Sequence, residues 1–345
     1  MTKSKTHSPQ LSIVIPTLGR VPFLISTLQD LLNQDLDEWE VLVVCQSEVE
    51  PEPFLRLGDR AQAVCRLFYC SEGNSSLARN IGLVEARAPI VLFLDDDIKI
   101  TNPRFLSNHL RHYTSPSLSG VTGQILDPSG QTRATRHAFS NNPRSGWLYF
   151  PYNFDKPCSI PNGCAGNLSV RRDWAISVGG MDAQYEKGAH REESDFCLRL
   201  TQQYGNLTYD PSASLIHLAA PAGGCRNWGQ NWGIHPIHHV AGEWYFILKN
   251  LKQGRLLWRD VPHHLMQLYL RQIWNSENRY SPVRISSAIS RSFMGFRLAR
   301  GKLKQGPRYI TPDISSSYRS ISILGPGPAE LSARGVNSAA PASHG

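Results

Sequence analysis

The sequence predicts an α/β fold with a mostly parallel central sheet. Three short apolar runs, residues 11–17, 40–45 and 90–94, are rich in β-branched side chains and have the length of buried strands. A helical pattern lies between the first two runs. Strand, helix and strand in that order favour parallel neighbours joined by a right-handed crossover.

The first helix is predicted over residues 22–33, where leucines recur at helical spacing and Pro22 suits a first helical position. Residues 48–64 are predicted to be helical in part, and residues 66–70 to form a third strand. Each of these elements keeps the alternation of strand and helix going, which supports the α/β prediction.

A further helix precedes the strand at residues 90–94. Ser75 or Ser76 is expected to cap it, which puts Arg79 and Asn80 on its first turns. A helix N-terminus favours anions, so these two side chains are candidates for contact with an anionic ligand. The alternative is that Arg79 is a solvated surface charge.

Three consecutive carboxylates, Asp95, Asp96 and Asp97, follow the strand at residues 90–94. In open α/β sheets, ligands bind at the carboxyl ends of the strands. Carboxylates this close repel one another unless a cation or hydrogen-bond donors hold them. The economical prediction is a divalent metal that in turn holds a phosphate, and the alternative is an acidic turn that caps the next helix.

The elements after these acids are shorter. Residues 120–126 are predicted as a strand, and residues 127–158 as a long loop that closes over a ligand or is irregular surface. Glycines ahead of a strand at residues 168–170 allow close backbone approach. A short helix at residues 174–178 is expected to end at a pair of glycines.

A second acidic group begins the following helix. Glu192 and Glu193 fall at its N-terminus, where the helix dipole favours ionised carboxylates, and Asp195 forms an i, i+4 pair with Arg199. Acids in a first helical turn are also ordinary capping, and that alternative stays open.

A strand at residues 213–217 ends in His217. A lone histidine is usually structural, but one that ends a strand downstream of both acidic groups is a reasonable third metal ligand. The stretch 228–244 is rich in His and Trp and matches no strong metal-binding template. Packing is therefore the favoured prediction for that stretch.

The C-terminal part is predicted to contain helices at residues 242–251 and 262–274. Residues 281–312 then carry seven basic side chains and no acid, with apolar residues at helical spacing. A basic amphipathic helix can lie on an anionic bilayer, or it can pack on the domain with its charges solvated. Beyond it Ser, Pro, Gly and Ala dominate, which predicts disorder.

Composition bounds the class of protein. The 345 residues allow one large domain or two small ones, and no apolar run approaches the ~18 residues of a membrane span. The first ten residues lack the apolar core of a signal peptide, so we expect a cytoplasmic protein. The seven cysteines show no paired spacing, which favours reduced thiols. A net charge of +8 suggests an acidic partner.

Four stretches, taken in order along the chain, resemble the family 2 glycosyltransferases, which have the GT-A fold. They correspond to the family's opening strand, its donor helix with the D-x-D motif, its acceptor-side segment and its E-D-x-D-L-x-x-R motif. In this chain they are residues 12–17, residues 78–82 with 93–97, residues 166–172 with 178–182, and residues 192–199. The ordered set is more specific than any one of its motifs.

The resemblance implies a Rossmann-like, three-layer GT-A domain over residues 11–255, with C-terminal helices after it. The donor half of that domain would cover about residues 11–125 and the acceptor half about residues 160–255. The flanking parts are a flexible N-terminus (1–10), a helical basic extension (256–309) and a disordered tail (310–345).

The resemblance also implies transfer of a sugar from a nucleotide-diphosphate donor to a hydroxyl, with inversion at the anomeric carbon. A Mg²⁺ or Mn²⁺ held by Asp95, Asp97 and His217 would neutralise the leaving diphosphate. The donor-binding residues that it implies are Pro16, Thr17, Arg20, Arg79, Asn80, Asp95 and Asp96.

Glu193 stands at the position of the family's usual Asp and is the implied general base, with Glu192 second. Its longer side chain is a departure that leaves the choice between the two open. The residues implied on the acceptor side are Gly166, Asn167 and Asp195. Many members have an Asp after the second strand to read the nucleotide base, whereas this chain has Cys45 and Gln46 there. The identity of the donor's nucleotide base therefore stays open.

The implied partners are a nucleotide-diphospho-sugar donor and a saccharide or lipid-linked acceptor, in the synthesis of a cell-surface polysaccharide or glycolipid. Peripheral contact with the inner membrane face is expected through residues 281–309. Nucleic acid is disfavoured, because few aromatic residues interleave with the basic ones. Two alternatives remain: a GT-A-like binding protein without turnover, and a sugar-phosphate nucleotidyltransferase, which would release pyrophosphate.

Overall fold

The computed structural model describes residues 8–132, 152–187, 190–224, 236–266 and 282–322. The strands are β1 (Leu11–Thr17), β2 (Trp39–Cys45), β3 (Cys65–Tyr69), β4 (Ile90–Leu94), β5 (Ile98–Lys99), β6 (Gly120–Leu126), β7 (Cys158–Ile160), β8 (Asn167–Arg171), β9 (Leu207–His217) and β10 (Arg319–Ile321). They form one sheet in the order β10-β3-β2-β1-β4-β8-β6-β9-β5, with β7 paired to β9. The predicted α/β class is confirmed.

The part of the sheet nearest the N-terminus is parallel, because each strand returns to the same edge through a helical connection. β1 pairs in parallel with both β2 and β4, and β2 pairs in parallel with β3. These are the strands that the apolar runs predicted. The third strand begins one residue earlier than expected, at Cys65.

The other part of the sheet is mixed. β8 pairs antiparallel with β4 and β6, whereas β9 pairs in parallel with β6 and antiparallel with β5 and β7. β9 is longer than the predicted strand, because it continues back through Pro211 to Leu207. The register between β6 and β9 shifts between Gly123 and Ile125, and such an irregularity accommodates a residue without an N–H.

Helices cover both faces of the sheet. They are α1 (Val21–Leu32), α2 (Glu52–Leu55), α3 (Asp59–Val64), α4 (Ser75–Glu85), α5 (Phe105–Leu110), α6 (Arg172–Ser177), α7 (Glu192–Tyr204), α8 (Ile237–Lys252) and the C-terminal helix (Pro282–Gln305). Side chains of β1 alternate between the faces: Val14 packs with α4, α6 and α7, while Ile13 and Ile15 pack with α1 and α5. The fold therefore has the expected three layers.

Several helix starts differ from their predicted positions. The largest difference is at α8, which begins at Ile237, five residues before its predicted start. Asn74, and neither Ser75 nor Ser76, caps α4: its Oδ1 accepts the backbone N–H of Leu77 at 3.1 Å. Asn and Ser are equally good caps, so composition did not separate these neighbours. α6 begins at Arg172, two residues before the predicted start.

The segment 310–322 was predicted as part of a disordered tail, and that prediction was wrong for these residues. The N–H of Ile310 donates to the carbonyl of Gly179 at 2.9 Å, and β10 pairs antiparallel with β3. Tyr318 packs edge-on against Phe68, with ring centroids 5.7 Å apart. These long-range contacts offset a composition that is poor in apolar residues.

Several predictions concern residues outside the described ranges. They are most of the loop 127–158, part of the stretch 228–244, part of the helix 262–274, the N-terminal residues 1–7 and the tail beyond residue 322. In the described ranges, no helix has both the length and the apolar character needed to cross a membrane.

A substitution at Gly82 of α4 tests how closely this helix packs on the sheet. A Cβ at Gly82 would stand 2.2 Å from Val14 Cγ1 and 2.6 Å from Val14 Cγ2. Gly82→Ala should therefore lower the free energy of unfolding by about 1–3 kcal/mol, the usual cost of overpacking. Urea unfolding followed by circular dichroism measures this change.

The matched control is Gly301→Ala in the C-terminal helix, where an added Cβ would meet no atom within 4 Å. Alanine is the better helix former, so this variant should gain about 0.5–1 kcal/mol. A change of the same sign and size in the two variants would contradict the close contact between α4 and β1.

Candidate active site

One guanidinium group joins the two acidic groups of the sequence. Arg79 of α4 places Nη2 3.1 Å from Asp95 Oδ1 and Nη1 2.9 Å from Glu192 Oε1. Its side chain is only 7 % exposed, which excludes a solvated surface charge. The acids that follow β4 and the acids that begin α7 therefore lie in one region, although almost a hundred residues separate them along the chain.

Asp95, Asp97 and His217 form a group suited to a divalent cation. One ligand atom from each lies within 4.8 Å of the others, and His217 Nε2 is 3.3 Å from Asp97 Oδ1 and 3.9 Å from Asp95 Oδ2. The pairing of Ile98 with His217 between β5 and β9 brings the histidine to the acids. Carboxylate oxygens with one imidazole suit Mn²⁺ and also accept Mg²⁺.

Asp97 is the most enclosed member of this group, with a side chain 1 % exposed. Burial works to raise its pKa, but the hydrogen bond with His217 and the charges of His217 and Arg20 together hold the pKa below its usual value. The N–H of Ala220 donates to its Oδ2 at 2.9 Å. Asp97 is thus held ionised by the protein itself.

Asp96 faces a different set of partners. Thr17 Oγ1 donates to Asp96 Oδ2 at 2.7 Å, and Arg20 Nη1 lies 3.0 Å from Asp96 Oδ1 and 3.2 Å from Asp97 Oδ2. Burial raises the pKa of Asp96 to about 6 against the opposing charge of Arg20. Thr17, Arg20 and Asp96 were predicted to bind the donor, and in this structure they are buried and fix the acidic turn.

Glycines at two places let backbone approach these charged side chains. A Cβ at Gly166 would stand 2.5 Å from Asp95 Oδ2, so the close approach predicted for the glycines ahead of β8 is toward this carboxylate. Gly223 and Gly224 have positive φ angles of 77° and 54° and lie against the guanidinium of Arg20. Arg20 donates to the carbonyls of Ala222 and Gly223 at 2.9 Å each, a contact that sequence reasoning missed.

The two glutamates at the start of α7 have different surroundings. Glu192 is 5 % exposed and pairs with Arg79, while Glu193 is less buried and accepts the N–H of Ala165 at 2.6 Å. Burial raises the pKa of Glu192 to about 8 in spite of Arg79, and burial also raises the pKa of Glu193. A raised pKa makes an ionised carboxylate a stronger proton acceptor.

Four other predicted site residues are buried or hydrogen-bonded within the protein. Asn80 exchanges two hydrogen bonds with the backbone of Met181. The amide of Asn167 donates to carbonyls of β6 and β9 and its Oδ1 contacts an imidazole of α5. Asp195 is fully buried in an ionic network, and Pro16 is buried in β1. In this structure their visible roles are in packing and positioning.

The ionic network behind α7 was missed by sequence reasoning. Lys249 Nζ lies 2.7 Å from Asp182 Oδ2 and 2.8 Å from Asp195 Oδ2, and Arg199 Nε lies 3.0 Å from the same Asp195 oxygen. The i, i+4 pair was predicted, but Lys249 is 54 residues from Asp195 in sequence. The only local signal was a lysine one turn after Tyr245 in an aromatic stretch of α8.

Comparison with known proteins finds a similar family and a similar fold. The sequence model described as "Glycosyl transferase family 2" matches residues 12–179. A mannosyltransferase from Pyrobaculum calidifontis, solved in complex with GDP-Man and Mn²⁺, superimposes with a TM-score of 0.54 at 16 % identity. The superposition covers 90 % of this chain and 83 % of that one, and at this identity it speaks for the fold alone.

Two relatives share moderate sequence identity. The O-antigen biosynthesis protein RfbC of Myxococcus xanthus is 24 % identical over 225 residues, which are 61 % of this chain and 17 % of that protein. The pre-mycofactocin glycosyltransferase of Mycobacterium tuberculosis is 30 % identical over 145 residues, which are 41 % of this chain and 29 % of that protein. This chain thus spans less than a third of the length of either relative.

The network of Lys249 predicts a large effect of one substitution. Lys249→Met should lower the free energy of unfolding by about 3–5 kcal/mol, because it leaves the buried carboxylate of Asp182 without its cation and that of Asp195 with Arg199 alone. Lys252→Met is the control, since Lys252 lies on the same helix and is exposed. Urea unfolding measures both variants, and equal stability would show that Lys249 does not neutralise Asp182 and Asp195.

Proposed function

We propose that this chain, a member of glycosyl transferase family 2 through residues 12–179, moves a sugar from a nucleoside-diphosphate donor to a hydroxyl acceptor with inversion at the anomeric carbon. The observation that carries this proposal is the contact of Arg79 with both Asp95 and Glu192. It joins the acids that would hold a cation to the acids that would accept a proton, and such a transfer needs both.

On the donor side, Asp95, Asp97 and His217 are the residues that would hold Mg²⁺ or Mn²⁺. They fit a cation because the side chains of Asp95 and His217 are each 31 % exposed, while Asp97 is buried and accepts the N–H of Ala220. When bound, the cation supplies positive charge that stabilises the departing diphosphate, an effect on the order of several kcal/mol. Arg79 adds a second positive charge beside Asp95.

On the acceptor side, we assign Glu193 as the general base and Glu192 as its neighbour in support. Glu192 is committed to Arg79, whereas Glu193 is the less buried of the two and is oriented by the N–H of Ala165. The acceptor hydroxyl gives its proton to a Glu193 carboxylate oxygen as its own oxygen bonds to the anomeric carbon. The bond from that carbon to the diphosphate breaks on the opposite face, which inverts the configuration.

The nucleotide base and the acceptor are less constrained. At the end of β2, Gln46 Oε1 has no hydrogen-bond partner among the described residues, and the Gln46 amide can both donate to and accept from a base. The similarity to the O-antigen biosynthesis protein of Myxococcus supports a saccharide or lipid-linked acceptor in polysaccharide synthesis. In this proposal the protein works in the cytoplasm, at the inner face of a membrane.

The donor side is tested by thermal unfolding with Mn²⁺ and each nucleoside diphosphate in turn. We expect one diphosphate to raise the melting temperature, and to do so only with Mn²⁺ present. Asp95→Asn should weaken Mn²⁺ binding by at least about tenfold. Asp37→Asn, at a side chain that is 95 % exposed, is the control and should behave as wild type. Equal shifts with and without Mn²⁺ would remove the metal from the proposal.

The base assignment is tested by transfer assays on Glu193→Gln and Glu192→Gln. Glu193→Gln should lose about 10²–10⁴-fold in kcat with donor affinity retained, because it removes the proton acceptor alone. Glu192→Gln should lose less. The opposite ranking would assign the base to Glu192, and release of pyrophosphate in place of a nucleoside diphosphate would favour the nucleotidyltransferase.

A further inference from the structure

The C-terminal helix buries one narrow face against α8. That face is made of small residues, among them Ala288, Ser292, Gly295 and Ala299. A Cβ at Gly295 would come within 2.8 Å of a Val240 side-chain atom, so the two helices are in close contact. The small face accounts for how this helix is attached to the domain, and it leaves the larger residues of the helix unexplained.

The rest of the helix exposes large apolar side chains. Six of the ten large hydrophobic side chains that are exposed in the described part of the protein lie on this one helix. They are Val283, Ile285, Ile289, Phe293, Met294 and Leu298, with exposed fractions between 37 % and 76 %. An apolar patch concentrated in this way marks a surface that contacts something else.

Cationic side chains accompany these apolar ones. The helix Pro282–Gln305 contains six Arg or Lys residues and no Asp or Glu. Arg297, Arg300 and Lys304 are exposed in its second half, and the Arg297 guanidinium lies 5.9 Å from the ring centroid of Phe293. The exposed surface therefore has apolar residues concentrated toward its N-terminal half and positive charges toward its C-terminal half.

We infer that this surface docks the protein on an anionic lipid bilayer. Ile289, Phe293 and their apolar neighbours enter the boundary between headgroups and acyl chains, while Arg297, Arg300 and Lys304 meet lipid phosphates. The inference deepens the proposed setting at a membrane, and it does not depend on the transfer reaction.

Charge argues against two other occupants. A second copy of the chain, docked through the same face, would bring the arginines and the lysine of both copies together without an acid on the helix to neutralise them. Single-stranded nucleic acid would need several exposed aromatic rings for base stacking, and among the exposed side chains of this helix only Phe293 is aromatic. A bilayer satisfies the apolar and the cationic residues at once.

Sedimentation of the full chain with lipid vesicles tests the inference. The protein should pellet with vesicles of phosphatidylcholine and phosphatidylglycerol at low salt, and far less with phosphatidylcholine alone. The double variant Ile289→Ser, Phe293→Ser should lose at least about tenfold in vesicle affinity, because it removes apolar area that becomes buried in the bilayer on binding. Arg297→Gln with Arg300→Gln should lose a similar factor and most of the salt dependence.

The control is Arg56→Gln with Arg60→Gln, which removes two exposed positive charges from α2 and α3. This variant should bind vesicles as the wild type does, and all variants should melt at the wild-type temperature because the substituted side chains are exposed. Wild-type failure to pellet, or equal pelleting by the helix variants, would overturn the inference. So would a dimer that the Ile289 and Phe293 substitutions dissociate. If the protein binds vesicles but transfers no sugar, the proposed function is refuted and the membrane inference stands.

Discussion

The site depends on the placement of one buried positive charge between carboxylates. Arg79 contacts Asp95 on one side and Glu192 on the other, and its side chain is 7 % exposed. Buried charges are costly unless they are paired, so the helix α4, the turn after β4 and the start of α7 are each constrained by this guanidinium. Gly82 allows α4 to lie close enough to β1 for this contact, and Gly166 allows the backbone to pass beside Asp95.

Further ion pairs keep two of those elements, the turn after β4 and the start of α7, in place. Arg20 and Thr17 both contact Asp96 in the acidic turn, and Lys249 contacts Asp195 in α7. Among the described ion pairs, neither cation pairs with Asp95, which we propose as a metal ligand, although Arg20 also lies 3.2 Å from Asp97 Oδ2. Residues that we propose to face the ligand and residues that orient them are therefore adjacent in sequence, both within the acidic triplet and within α7.

Sequence reasoning found the strands and the acidic groups, because apolar runs and helical periodicity are local signals. The ordered motifs then predicted, before the structure was known, that Asp95–Asp97 and Glu192–Glu193 belong to one site. The support of Asp96 by Arg20 and of Asp195 by Lys249 was missed, since these pairs form between distant segments and leave no periodic trace. The ordered structure of residues 310–322 was missed for the same reason. The N–H of Ile310 donates to the carbonyl of Gly179, which is far away in the chain.

Strand β10 pairs with β3 and so covers the long edge that β3 would otherwise expose, leaving the short strand Arg319–Ile321 at the end of the sheet. An uncovered edge presents a row of unsatisfied N–H and C=O groups, which can recruit a strand from another molecule. Because β10 is synthesised long after β3, a nascent chain carries that open edge until late in translation. Closing so distant a pair is intrinsically slow, so the interval before it closes is when this protein is most exposed to self-association.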